Sequence, residues 1–203
     1  MSWPALRVVN SGTIQTMYKG VAEIFSRYWT AYGGVGALLR SFYLHLAAAL
    51  LLLTFHAWTN PGWWEQSLSV LPNLLGFTLG GFAIFIGFGD EKFRSLLAEP
   101  EEDINQPTIY VSLCATFVHF ILVQVLALVY AAVAKSWWFY AEWMDPVRSY
   151  LPCWNAVVGA IGYGLFLYAL TSVIAATMHV FRIASMYESY QRTTSKLNSK
   201  AQQ

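Results

Sequence analysis

Long apolar runs separated by short polar clusters dominate the sequence. The clearest extends from Leu68 to Phe88, twenty-one residues with no ionisable side chain. As a helix, a run of that length crosses a hydrocarbon core of about 30 Å. It stops abruptly at Asp90-Glu91-Lys92-Phe93-Arg94. Further apolar runs cover about 41–58, 108–134 and 154–180. The pattern predicts an all-α integral membrane protein with four transmembrane helices at these positions. Pro72, near the start of the second run, is expected in the first turns of its helix, where proline is tolerated.

A different pattern precedes the first run. Within 13–30, Ile14, Met17, Tyr18, Val21, Ile24, Phe25 and Tyr28 recur at helical spacing, with Gln15, Lys19, Glu23, Ser26 and Arg27 on the other side. This is an amphipathic helix, placed either in the membrane interface or against the end of the bundle. Lys19 with Glu23, and Glu23 with Arg27, are spaced to pair. Gly33-Gly34-Val35-Gly36 forms a joint to the first span. Asn60-Pro61-Gly62 marks a turn after it. Residues 89–107 are a hydrophilic loop carrying Glu99, Glu101, Glu102 and Asp103. Beyond Arg182, Ile183, Met186, Tyr187 and Tyr190 keep helical spacing, so the fourth span is expected to continue into the tail as one helix. The domain reading is an N-terminal region 1–40, a transmembrane domain 41–181 and a tail 182–203.

Composition agrees. Of 203 residues, 57% are hydrophobic and 11% are charged, against about 25% charged in soluble domains. Lipid is the solvent that suits such a surface, and membrane lipids are the first expected partner. The net charge of +1 gives no reason to expect direct nucleic-acid binding. Cys114 and Cys153 supply neither a disulfide framework nor a zinc spacing, and no cofactor or metal is expected. The first residues, MSWPALRVVNSGTIQ, lack a signal-peptide core, so the first span is expected to be retained as an anchor. With the N-terminus cytoplasmic, Arg7, Lys19, Arg27, Arg40, Lys92, Arg94, Arg182, Arg192, Lys196 and Lys200 lie inside, and Lys135 and Arg148 lie outside. This bias predicts that both termini are cytoplasmic. Trp58, Trp63, Trp64, Trp137, Trp138, Trp143 and Trp154 then share the outer side, a denser belt than anchoring requires.

Candidate chemistry is sparse. There is no nucleophile elbow, HExxH, phosphate loop or CxxC, and no Asp, Glu, Lys or Arg falls inside a predicted span. The chain is therefore not expected to be an enzyme or a proton-coupled pump. His119 is the most central ionisable residue, roughly 16 Å along its helix. It is read either as a pore-lining group or as a neutral histidine bonded to a neighbouring helix through Gln124 or Asn73. His45 and His56 share a face but lie too far apart for a common metal. Gly76, Gly80, Ala83 and Gly87 form a small-residue ridge, and Ala160 and Gly164 a second one. Such ridges allow close helix packing, within one subunit or between copies in a homo-oligomer. Asp90, Glu91, Lys92 and Arg94, the acidic residues Glu101, Glu102 and Asp103, and the tail residues Arg192 and Lys196 compose a candidate docking surface for a cytosolic protein.

The segment GFTLGGFAIFIGFGDEKFRSLL is similar to segments of small bacterial multi-pass proteins. The plan of four spans with short cytosolic pieces resembles the membrane component of Kiwa-type phage-defence systems. That resemblance implies an inner-membrane oligomer that senses infection and acts through a cytosolic effector. The expected function is thus an oligomeric sensor or scaffold in antiviral defence. The alternative is a small homo-oligomeric ion channel lined by the second span or by the His119 face.

Overall fold

The structure is a computed structural model, which describes residues 11–99, 106–138 and 150–201. Glu101, Glu102 and Asp103 of the expected docking surface, and Arg7, Trp143 and Arg148 of the charge and tryptophan patterns, lie outside the described residues. All regular structure among the described residues is helical. The helices are α1 (Ser11–Tyr32), α2 (Gly34–Leu39), α3 (Phe42–Leu53), α4 (Phe55–Thr59), α5 (Trp64–Gly87), α6 (Glu91–Leu97), α7 (Ile109–Ser136) and α8 (Leu151–Ala201).

Three helices, α5, α7 and α8, are long and apolar enough to cross a membrane. They point to a membrane protein. Their exposed surface is apolar too: Ile84, Val129, Ile174 and Phe181 are all open on it, as a lipid-facing surface requires. The first apolar run differs from the single helix expected over 41–58. It is divided at Thr54, whose Oγ1 donates to the Leu50 carbonyl at 2.7 Å. The backbone leaves helical geometry at that residue, at φ −102° and ψ 24°. The twelve residues of α3 and five of α4 are each shorter than a span.

The second run also differs in one detail. α5 begins at Trp64, so Pro72 stands in its interior and not in its first turns. Proline there removes the amide that would bond to the Leu68 carbonyl, a loss that packed membrane helices accommodate. α8 continues as one helix of 51 residues, as the spacing of Ile183, Met186, Tyr187 and Tyr190 predicts. Its length is about 76 Å at 1.5 Å per residue.

The bundle is registered by polar links between packed faces. α5 and α7 run antiparallel, tied by Gln124 Nε2 donating to Thr78 Oγ1 at 3.0 Å and by Lys135 and Glu65 at 2.9 Å. Tyr130 of α7 donates to the Val158 carbonyl of α8 at 3.3 Å. Tyr163 of α8 donates to Gln66 of α5 at 2.7 Å. The core falls into two clusters. One, at the tryptophan-rich end, includes Trp63, Trp64, Leu71, Ala127, Ala131 and Leu167. The other, towards the polar half of α8, includes Phe85, Phe93, Phe117, Phe120, Ala175 and Ile183. In lipid, packing and hydrogen bonds hold such faces together more than burial does.

Candidate functional site

His119 stands eleven residues into α7 and is 5% exposed. Its neighbours come from two other helices. Tyr28 of α1 places its hydroxyl 2.8 Å from Nδ1, and Tyr168 of α8 places its hydroxyl 2.9 Å from Nε2. The ring of Tyr32, one turn beyond Tyr28, stacks on the imidazole at 3.9 Å between centroids and 17° between planes. A neutral imidazole carries one N–H, so one phenol donates to the ring and the other accepts from it. Burial first, and Tyr32 second, push the Tyr28 phenol up to about 12, so Tyr28 keeps its proton at neutral pH. The result is a polar clamp joining the N-terminal helix to the bundle.

A second link lies next to it along α8. Thr171 Oγ1 donates to the Tyr43 carbonyl of α3 at 3.0 Å. α1 and α3, two of the elements that are not long spans, are therefore both fastened close to Tyr168. The clamp has no carboxylate, and no group of three His, Cys, Asp or Glu among the described residues could hold a metal. Its chemistry is that of a joint: neutral donors and acceptors fully paired in an apolar surround.

Of these groups the sequence singles out His119. Tyr28 falls on the apolar face of the helix expected over 13–30; Tyr32 lies beyond that helix, which in the structure runs to Tyr32, and nothing in the sequence joins either to His119. Gln124 and Asn73, the partners expected for His119, stand elsewhere. Gln124 is fully buried and bonds to Thr78, with its Oε1 left without a partner. Asn73 is exposed on α5 and makes no hydrogen bond among the described residues.

The small-residue ridges separate clearly. Gly76, Gly80 and Gly87 have nothing within 4 Å of where a Cβ would stand, and Ala83 is exposed. On α8, Gly164 has ordinary contact with Leu51 at 3.4 Å, and Ala160 is half-buried. The tightest approaches occur at two glycines outside either ridge. A Cβ on Gly159 would collide with the Trp58 carbonyl, and one on Gly162 with the Trp63 ring.

The charged residues after α5 divide by role. Asp90 caps α6, its Oδ1 accepting from the Phe93 amide at 2.8 Å. Glu91, Lys92 and Arg94 are exposed on α6, which buries Phe93 and Leu97 against α8 and α7. Arg192 pairs with Glu188 at 2.6 Å within α8, and Lys196 is exposed. The pairs proposed among Lys19, Glu23 and Arg27 do not close, all three standing exposed. Between α6, the start of α7 and α8 lies a groove of about 620 Å³. Phe93, Leu96, Ile109, Met186 and Tyr190 give it apolar walls. No family model matches the chain, and no curated protein or solved structure matches it either.

Proposed function

We propose that the chain is a multi-pass membrane protein that acts as an oligomeric sensor or scaffold and recruits a cytosolic partner, in phage defence at a bacterial inner membrane. The observation that carries this reading is α8. It leaves the apolar bundle near Arg182 and continues for nineteen more residues, about 29 Å, with Glu188, Arg192, Lys196 and Lys200 exposed along it. The apolar groove at its root gives a partner something to bury. In this reading α3 and α4 together make the fourth crossing, and the excess of lysine and arginine puts both termini in the cytoplasm.

Self-association is proposed through α5. Asn73, Gly76, Gly80, Ala83 and Gly87 fall at alternating spacings of three and four, the seam of two packed helices. All five are exposed. A second copy would fill the open glycines and give Asn73 a hydrogen-bonding partner. The sealing of His119 by Tyr28, Tyr32 and Tyr168 supports a scaffold over a pore lined by that residue.

The test is affinity capture of the tagged protein from native membranes, with mass measurement of the complex. The full chain should retain a soluble protein in fixed ratio, and a chain truncated after Arg182 should lose it while keeping its own oligomer mass. Full biological activity of the truncated chain would overturn the scaffold reading.

A further inference from the structure

The tryptophan-rich end of the bundle holds a cavity of about 880 Å³ between the α4–α5 turn, the end of α7 and the start of α8. Its deep wall is built from Trp63 and Trp64, 5% and 7% exposed. Their rings meet edge to face at 5.8 Å between centroids. Gly162 admits the Trp63 ring against the α8 backbone, which fixes that wall in place. Trp138 approaches Trp64 at 5.3 Å, and Trp154 stands exposed at the rim. Anchoring in a membrane interface needs aromatic rings pointing outward. It does not need a concave wall of them.

Among the described residues, none that lines the cavity is charged. The charged neighbours of that lining among them, Glu65 and Lys135, are paired with each other at 2.9 Å. A phosphate or an ammonium would find no free counter-charge on the described lining. The polar side chains that line it are uncharged: Asn60, Asn155, Thr59 and Tyr130, whose hydroxyl donates to the Val158 carbonyl, beside the tryptophan indoles. The Asn60 amide nitrogen donates to the His56 carbonyl at 2.7 Å, which leaves its oxygen as an acceptor. The Asn155 side chain makes no hydrogen bond among the described residues and has both donor and acceptor capacity open.

Uncharged amides beside indole faces suit a pyranose. The C–H groups on one face of a sugar ring carry partial positive charge and meet the negative face of an aromatic ring. Its hydroxyls both donate and accept, as an amide does. The volume lies within the range of small-molecule sites, about 300–1,000 Å³. We propose that this cavity binds a neutral hexose unit, carried on a glycolipid headgroup or free in solution, with the exposed rings of Trp138 and Trp154 as stacking surfaces above a floor of Trp63 and Trp64, and Asn155 as the hydroxyl-reading group.

The experiment places the full-length protein in nanodiscs of phosphatidylethanolamine and phosphatidylglycerol, which bear no sugar, and follows tryptophan emission. One arm adds monoglucosyl diacylglycerol to the disc in increasing mole fraction. The other titrates maltose in solution. A saturable change in the lipid arm alone assigns a glycolipid headgroup, and one in the maltose arm assigns a free saccharide. Asn155→Ala keeps every tryptophan and should weaken the response about tenfold, with an unchanged circular dichroism spectrum confirming the fold. Trp154→Phe should weaken it by a smaller factor. A flat response in both arms overturns the proposal. So does an equal response to phosphatidylcholine in place of the glycolipid, or an Asn155→Ala protein that binds as the parent does.

Discussion

Two of the three long helices, α5 and α8, carry glycines, and they use them in opposite ways. On α8, Gly159 and Gly162 are contact points for Trp58 and Trp63. On α5, Gly76, Gly80 and Gly87 face open space, although their spacing is the more regular of the two. The contrast teaches that a regular small-residue motif and a tight helix contact are separate things. The α8 glycines are set by the bulk of what crosses them, Trp58 from α4 and Trp63 from the α4–α5 turn. The α5 glycines have no such neighbour among the described residues, which leaves their face open to a second helix.

Substitution should make that difference measurable. Gly162→Leu is expected to have the largest effect, since it drives a branched side chain into the Trp63 ring. Overpacking of this kind costs about 3 kcal/mol, and thermal unfolding in detergent should show a clear fall in Tm. An unchanged Tm would mean that the tryptophan wall yields without cost. The clamp at His119 supplies an intermediate case, held by hydrogen bonds in place of fit. His119→Leu leaves the Tyr28 and Tyr168 hydroxyls without their shared partner, at a cost of about 1–2 kcal/mol. Limited proteolysis should then cut within α1 sooner than in the parent.

Gly80→Leu inverts the pattern of Gly162→Leu. Within one subunit it should change stability by less than about 0.5 kcal/mol, as surface substitutions do. The mass of the detergent complex should nevertheless fall if α5 is the seam between copies. An intact oligomer would remove α5 from that role. Glu188→Gln should show the smallest effect. It breaks an exposed pair with Arg192, worth about 0.3–0.5 kcal/mol, and its loss should be detectable by helix content at low salt and absent at high salt.

The all-helical class and the positions of α5, α7 and α8 were legible because twenty or more apolar residues in sequence admit few other arrangements. Helix ends were less so. Trp64 starts α5 earlier than the apolar run suggests because Glu65 finds Lys135 and Gln66 finds Tyr163, links between residues distant in sequence. The division of the first run at Thr54 has no marker in the sequence, since the same threonine-to-carbonyl bond at Thr78 leaves α5 unbroken. His119 was legible as the central polar residue. Its partners were not, because a tyrosine in an apolar stretch reads equally as packing or as a donor. Gly159 and Gly162 are visible as glycines of the fourth run, but nothing in the sequence shows that Trp58 and Trp63 arrive against them.

The continuity of α8 has a mechanical consequence. A helix without a break behaves as a stiff rod. Its apolar length is held by Tyr43 of α3 and His119 of α7, and its polar length by Phe93 of α6, which meets Tyr190. From Tyr190 to Ala201 it projects for about 16 Å past that last ring contact. A shift of the packed length would thus be carried to the tip with no hinge or second moving part between them.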